Sequence, residues 1–426
     1  MARRFGGIYK NRMEIVMAYQ YKQNRKCRIC GNPKLEKILD LGDTPPANSF
    51  LSKKNLKRKE SKFPLVLVFC DKCSLVQLGH SVDPKVLFQN YHYNTGASKP
   101  LVNHFQNMAE EISKKYLNGK DDLLVEFGSN DGVLIGTLKD RHRVLGVDPA
   151  SNVAKLAKER GVETITDYFG KQSAKKITKK FGNAKVIVAN NVFAHIDDVH
   201  DVLKGVDILL HNDGHFIFEC HWVGNLIGQG GFDQIYHEHL FYYSLHSLRV
   251  LLDTMDFVIK DVKLVPIHGE SLRVYAGKSG RSNVMVKEFL IREKEMGLTK
   301  KETYQNFGEK VESNKEKLTD LLEALKRLGK KIVGYGAPGK STTLLNYLNI
   351  GPKTLDFITD TTSSKQGTYT PGTHIPVVHP EILMREKPDY ILLLSWNYAD
   401  AILEKEKELR KRGVKFIIPV PEVRIL

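Results

Sequence analysis

The chain has 426 residues, with 65 Lys or Arg against 49 Asp or Glu and a formal charge of +16 at pH 7, a length that suggests roughly two to four domains. The basic surplus suits an anionic partner or simply solubility, and much of it sits in stretches such as KQSAKKITKK and KEKELRKRGVK that read as solvated helix faces, so nucleic acid is not favoured. No segment offers the ~18 consecutive apolar residues of a membrane span, and MARRFGGIYKNRMEIV lacks a signal-peptide core, so a cytoplasmic protein is expected.

Residues 1–24 are basic and patternless and read as a loosely attached extension. Cys27-Arg28-Ile29-Cys30 is then answered by Cys70-Asp71-Lys72-Cys73 within a module expected over 25–85. Two C-x-x-C turns offer two thiolates each, the ligand set of a tetrahedral structural zinc site. With all four positions filled by cysteine, none is left open for catalysis.

From Leu123 onward strands and helices alternate: DLLVEFGSNDG, HRVLGVDPA, SNVAKLAKER, AKVIVANNV, DVHDVLKGVDILL and GHFIFECHW. This predicts a doubly wound, mostly parallel sheet over 86–280, with a ligand at the carboxyl ends of its strands. The loop Glu126 to Gly132 follows the first strand, and Asp148 ends the second. A glycine turn plus an acid at the next strand end serves an adenosine, and the form E-x-G-x-x-x-G favours S-adenosylmethionine over NAD. Glu126, Gly128, Asn130, Asp131, Gly132 and Asp148 are the expected cofactor contacts, together with Asn190 and Asn191 at the end of the fourth strand.

Residues 281–330 read as a helical connector, with Phe307, Val311, Leu318, Leu321, Leu322, Leu325 and Leu328 on one apolar stripe. A second Rossmann-like α/β unit is expected over 331–426, with strand LDFITD ending at Asp360 and strands DYILLLSW and KFIIPV after it. Its first loop, Gly334 to Ser341 in GYGAPGKS, fits the P-loop pattern G-x-x-x-x-G-K-[ST]. A P-loop NTPase also needs a magnesium-binding acid after a later strand, and PDYILLLSWN runs into Ser395 and Trp396 instead.

The motifs CRICG with FCDKC, YHYNTGAS, LVEFGSNDG, ANNVFAHIDD, FDQIYHEHLFYYSL, HGESLRVYAG, GYGAPGKSTTLLNY, KQGTYTPGTHIPV and LLSWNYADAI occur in that order. From Cys27 to Leu426 the chain resembles the three-domain, zinc-containing sugar C-methyltransferases that act on nucleotide-linked keto-deoxysugars. The resemblance implies a small zinc module, a Rossmann-like methyltransferase domain and a second Rossmann-like domain that helps bind a nucleotide diphosphate-sugar. It makes His239 the general base, with Tyr236 and Glu238 orienting it and His195, Tyr91 and Tyr93 bordering the site. It also turns Gly336 and Lys340 toward a pyrophosphate, with Lys365, Tyr369, His374, Trp396 and Asn397 as further substrate contacts. One departure is His268-Gly269-Glu270-Ser271, which places a carboxylate where the family is expected to have glycine.

The chemistry is consistent with such a set. Methylation beside a ketone needs a base for the α-proton and a group to hold the enolate oxygen. Each unit of mismatch between carbon acid and base costs about 1.4 kcal/mol, so imidazole alone is insufficient. The alternatives left open by the residues are a His-x-His metal site at 237 and 239, a P-loop NTPase, and O- or N-methylation of a related sugar.

Overall fold

A computed structural model describes residues 20–88, 94–267 and 269–426. Tyr91, Tyr93, His268 and most of the expected N-terminal extension lie outside the described residues. No described helix is long and apolar enough to cross a membrane.

The middle of the chain builds a seven-stranded sheet in the order Val258–Val265, Ser271–Gly277, Leu210–His221, Ala184–Asn190, Leu123–Phe127, Arg143–Val147, Thr164–Ile165. The last five are mutually parallel. Ser271–Gly277 runs antiparallel to Leu210–His221, and Val258–Val265 antiparallel to it in turn. LLVEF is buried at every position, as expected of a parallel strand covered on both faces. The helix Lys171–Phe181 buries Ser173, Ala174 and Ile177 and leaves its lysines to solvent, so KQSAKKITKK is the solvated face its spacing suggests. Because Leu123–Phe127 has the second strand on one side and the fourth on the other, a crevice forms at their carboxyl ends.

The N-terminal module is organised by a four-stranded antiparallel sheet. Glu36–Thr44, Phe63–Phe69 and Val76–Leu78 come from the module itself, and the fourth strand, Phe241–Tyr242, follows directly on Tyr236 to His239. Phe241 registers with Gln77 and Tyr242 with Val76. The cysteine module and the histidine segment therefore share one sheet.

Helices Val284–Glu295 and Lys301–Arg327 lead to a six-stranded sheet ordered Val377–Val378, Ile358–Thr359, Ile332–Tyr335, Tyr390–Leu393, Lys415–Ile418, Arg424–Ile425. All but the last pairing are parallel. Phe307, Val311, Leu318, Leu322 and Leu325 are buried as the stripe predicts. Leu328 is not: the helix stops at Arg327, and Leu328, leaving its periodicity, is 72% exposed. Thr368–Tyr369 of this last unit pairs with Leu51–Ser52, so the final domain also touches the cysteine module.

Candidate active site

The two cysteine pairs occupy matching tight turns. Gly31 N–H donates to Cys27 O at 2.9 Å and Ser74 N–H to Cys70 O at 2.8 Å, so each pair aims both sulfurs inward. Cys27 and Cys73 Sγ are 3.5 Å apart, as are Cys30 and Cys70, and all four sulfurs lie within 4.8 Å of one another. Zn–S bonds of about 2.3 Å put sulfurs of a tetrahedron roughly 3.8 Å apart, so the set fits a closed structural zinc. The module is anchored to the middle domain: Arg28 Nε donates to Asp197 Oδ1 at 2.9 Å, and His200 Nε2 lies 2.9 Å from Ile29 O.

The crevice of the seven-stranded sheet collects buried polar atoms. Among the described residues, Glu126 Oε2, Ser129 Oγ, Asp131 Oδ1, Asn190 Oδ1 and both polar side-chain atoms of Asn191 have no hydrogen-bond partner. Orphaned polar atoms are expensive to bury, and so many at one strand edge fit a polar ligand such as the amino-acid and ribose parts of S-adenosylmethionine. Burial also pushes the Glu126 carboxyl well above the usual carboxylate range. Asp148 braces the glycine loop, taking Asn130 N–H on Oδ2 and Ala150 N–H on Oδ1, both at 2.9 Å. Gly128 has φ +65°, and a Cβ there would meet Val192 at 2.7 Å, so the turn requires glycine. Thr95 N–H caps Asn130 Oδ1 at 3.0 Å, while Gly96 N–H and Arg160 Nη2 reach Asp131 Oδ2 at 3.1 and 3.0 Å.

Past Asn190 and Asn191 the chain makes a short 3-10 turn, Phe193–His195, that delivers His195 to His239 with ring centroids 5.0 Å apart. Leu240 N–H donates to Ala194 O at 2.9 Å and Leu78 N–H to Leu240 O at 3.0 Å, fixing the segment between the two modules. The Tyr236 hydroxyl lies 3.0 Å from His239 Nε2. His221, at the end of the Leu210–His221 strand, brings its ring to 4.8 Å from that of His239. His221 and His239, with Gln234, Tyr242 and Glu270, border one small pocket.

The other two members of YHEH face elsewhere. Glu238 accepts from Asn48 Nδ2 at 2.8 Å, which ties it to the cysteine module. Burial pushes its carboxyl up to about 7. His237 Nε2 lies 3.1 Å from Phe63 O, and burial pulls its imidazole down to about 4. Among the described residues the four cysteines are the one group able to hold a metal, and the His-x-His alternative finds no such group.

In the final domain only part of the expected substrate set faces an opening. Trp396 and Asn397 line a cleft of about 930 Å³ that also meets Glu270 and Arg424. Gly336, at φ +81°, borders a separate pocket, and a Cβ there would meet Ser395 Oγ at 2.1 Å. Lys365 Nζ donates to Ala337 O at 2.7 Å, His374 Nε2 lies 2.7 Å from Glu60 Oε1, and Tyr369 sits in the strand pair with Leu51. The Lys340 ammonium is 3.4 Å from Asp233 Oδ2, with the side chain only 13% exposed. Ser341 Oγ is bonded to Pro338 O, and the Thr342 and Thr343 hydroxyls to Ala47 O and Ile235 O, each at 2.7 Å. The hydroxyls that a P-loop would offer to magnesium are thus committed to backbone.

Asn48, His221, Asp233, Gln234 and Tyr242 were not singled out from sequence. His221 and Tyr242 carried a usable signal, being polar residues at strand ends beside the crevice; the others acquire their role only through contacts distant in the chain.

Three family profiles match the chain: a zinc binding domain over residues 27–88, a methyltransferase domain over 103–262 and a C-methyltransferase C-terminal domain over 266–421. The crevice, the cysteine cluster and these matches define an S-adenosylmethionine-dependent methyltransferase with a structural zinc module. The chain is 36% identical over 405 residues to C-methyltransferase NovU of Streptomyces niveus, spanning 94% of this chain and 96% of that protein. It belongs to this C-methyltransferase family and is an S-adenosylmethionine-dependent C-methyltransferase. Solved structures overlap it weakly. A SAM-dependent methyltransferase from Anabaena variabilis aligns with TM-score 0.33 and 17% identity over 40% of this chain and 84% of that one. Magnesium protoporphyrin IX methyltransferase from Synechocystis with bound SAH gives 0.32 and 14% over 45% and 90%.

Proposed function

We propose that the enzyme methylates a carbon beside the ketone of a nucleotide diphosphate-linked keto-deoxysugar, with His239 taking the α-proton. The observation that carries this reading is the pairing of His239 Nε2 with the Tyr236 hydroxyl at 3.0 Å, on a segment hydrogen-bonded to the turn that leaves the cofactor crevice. S-adenosylmethionine, when bound, supplies an electrophilic methyl group. Imidazole titrates near neutrality and so combines basicity with availability. Tyr236 holds the ring, and the developing enolate oxygen is met by donors around His239, from among His195, His221, Gln234 and Tyr242.

Asp148 accepts from the ribose hydroxyls, and Glu126, Gly128, Asn130, Asp131, Gly132, Asn190 and Asn191 complete the cofactor cradle. The nucleotide diphosphate runs into the large cleft past Trp396 and Asn397, where Arg424 offers a cation. The working division of the chain is a zinc module over 25–85, a methyltransferase domain over 86–280, a helical connector over 281–330 and a sugar-nucleotide domain over 331–426. Carbon-13 NMR of the product made with labelled methyl donor tests the reading. A methyl on a ring carbon next to the ketone is expected; a methyl on oxygen or nitrogen, or no turnover of any keto-sugar nucleotide, overturns it.

A further inference from the structure

Asp233 is fully buried on the short turn Phe232–Gln234 that leads into Tyr236 and His239. Trp396 Nε1 donates to its Oδ2 at 2.7 Å, and Lys340 Nζ lies 3.4 Å from the same oxygen. Lys340 also stands 3.9 Å over the Trp396 ring, a cation–π contact. Among the described residues the other carboxylate oxygen, Oδ1, is buried without a partner, and Lys340 is the only counter-charge this carboxylate has. A second tie comes from the same stretch of the final domain, where Thr343 Oγ1 donates to Ile235 O at 2.7 Å. Both ties hold the backbone just ahead of Tyr236.

We infer that Lys340 is a positioning residue: with Trp396 it clamps Asp233 and thereby seats Tyr236 and His239, so that the final domain completes the proton-abstraction site. This rests on the reading of His239 as base. A buried carboxylate deprived of its cation must take up a proton or move toward water, and a shift of about 1 Å in a catalytic group can cost on the order of a hundredfold in rate. An ammonium already committed to a buried anion cannot turn to a diphosphate without leaving that anion unpaired. The glycine loop that looks like a nucleotide cradle therefore serves as an interdomain clasp.

Two measurements on the full-length zinc-loaded protein test this. The first, hydrogen exchange of the amides of residues 233–239, needs no substrate. Lys340→Met should accelerate exchange there by about tenfold or more, and Lys340→Met with Asp233→Asn, which removes both charges, should bring it back toward wild type. Unchanged exchange in Lys340→Met overturns the clasp. The second is turnover. Lys340→Met should lower kcat at least about tenfold while KM for the sugar nucleotide stays within about threefold, and the double variant should regain most of kcat. A KM raised about tenfold or more in both variants, with kcat near wild type, would instead make Lys340 a diphosphate ligand. Should the single variant not fold, the double variant decides: wild-type-like exchange and kcat support the clasp, and loss of kcat overturns it. If the wild type methylates no keto-sugar nucleotide, the proposed substrate fails while the exchange result still decides the clasp.

Discussion

Asn48 Nδ2 donates to Glu238 Oε1 at 2.8 Å, joining the zinc module to the residue next to His239 across 190 positions of sequence. Burial pushes the Glu238 carboxyl from its ordinary 4.5 to about 7. The folded protein therefore keeps a proton that the unfolded chain loses across that window, and native stability from this group is full below about pH 4.5 and lost as pH rises to about 7. Glu238→Gln, which cannot ionise but still accepts from Asn48, escapes the loss. At about pH 8 it should be more stable than wild type by on the order of 3 kcal/mol, read as a higher melting temperature, and the gap should close toward about pH 5. A gap independent of pH would contradict the buried, protonatable carboxyl.

The zinc site predicts about one tightly held zinc per chain, as a closed tetrathiolate requires. Because Phe241–Tyr242 completes the module's sheet beside His239, stripping the metal with a chelator should lower both melting temperature and methylation. Metal analysis that found no zinc, with four freely titrating thiols, would remove the site.

Asp148 takes two backbone N–H groups of the cofactor loop region. Asp148→Ala should weaken S-adenosylmethionine binding by about tenfold or more while leaving binding of the sugar nucleotide nearly unchanged, each read by calorimetry. Equal loss of both ligands in a folded variant would place Asp148 outside the cofactor site.

Local patterns were legible and distant ones were not. Cys27, Cys30, Cys70 and Cys73 announce themselves because two ligands per tight turn is a property of four consecutive residues. The strand-loop-helix rhythm likewise located the crevice residues from Glu126 to Asp148. The antiparallel pair Val258–Val265 and Ser271–Gly277 that closes the sheet edge was not legible, since Lys260, Asp261 and Lys263 interrupt the apolar run of VIKDVKLV. Lys340 shows the limit most clearly. A P-loop pattern fixes residue types and spacing but not the direction of Nζ, which is set by Asp233, more than a hundred positions earlier. The bond from Asn48 to Glu238 was hidden for the same reason, its two ends lying in different modules.

Glu270 has φ +73° and borders both the small histidine pocket and the large cleft. A side chain in this left-handed region is strained, and glycine is not. Glu270→Gly should therefore be more stable than Glu270→Ala by about 1 kcal/mol, the reverse of the usual order, as read from chemical denaturation. If the alanine variant were the more stable, the left-handed backbone at this position would be wrong.

The role of His239 is tested most directly by proton exchange at the carbon to be methylated. In deuterated water, wild-type enzyme with bound keto-sugar nucleotide and S-adenosylhomocysteine should wash deuterium into the α-position, read by mass spectrometry. His239→Ala should abolish both this exchange and methylation while still binding both ligands, and Tyr236→Phe should slow both by about tenfold or more without abolishing them. Near-normal methylation by His239→Ala would contradict its role as base and pass that role to His195 or His221, whose rings lie 5.0 and 4.8 Å from its own.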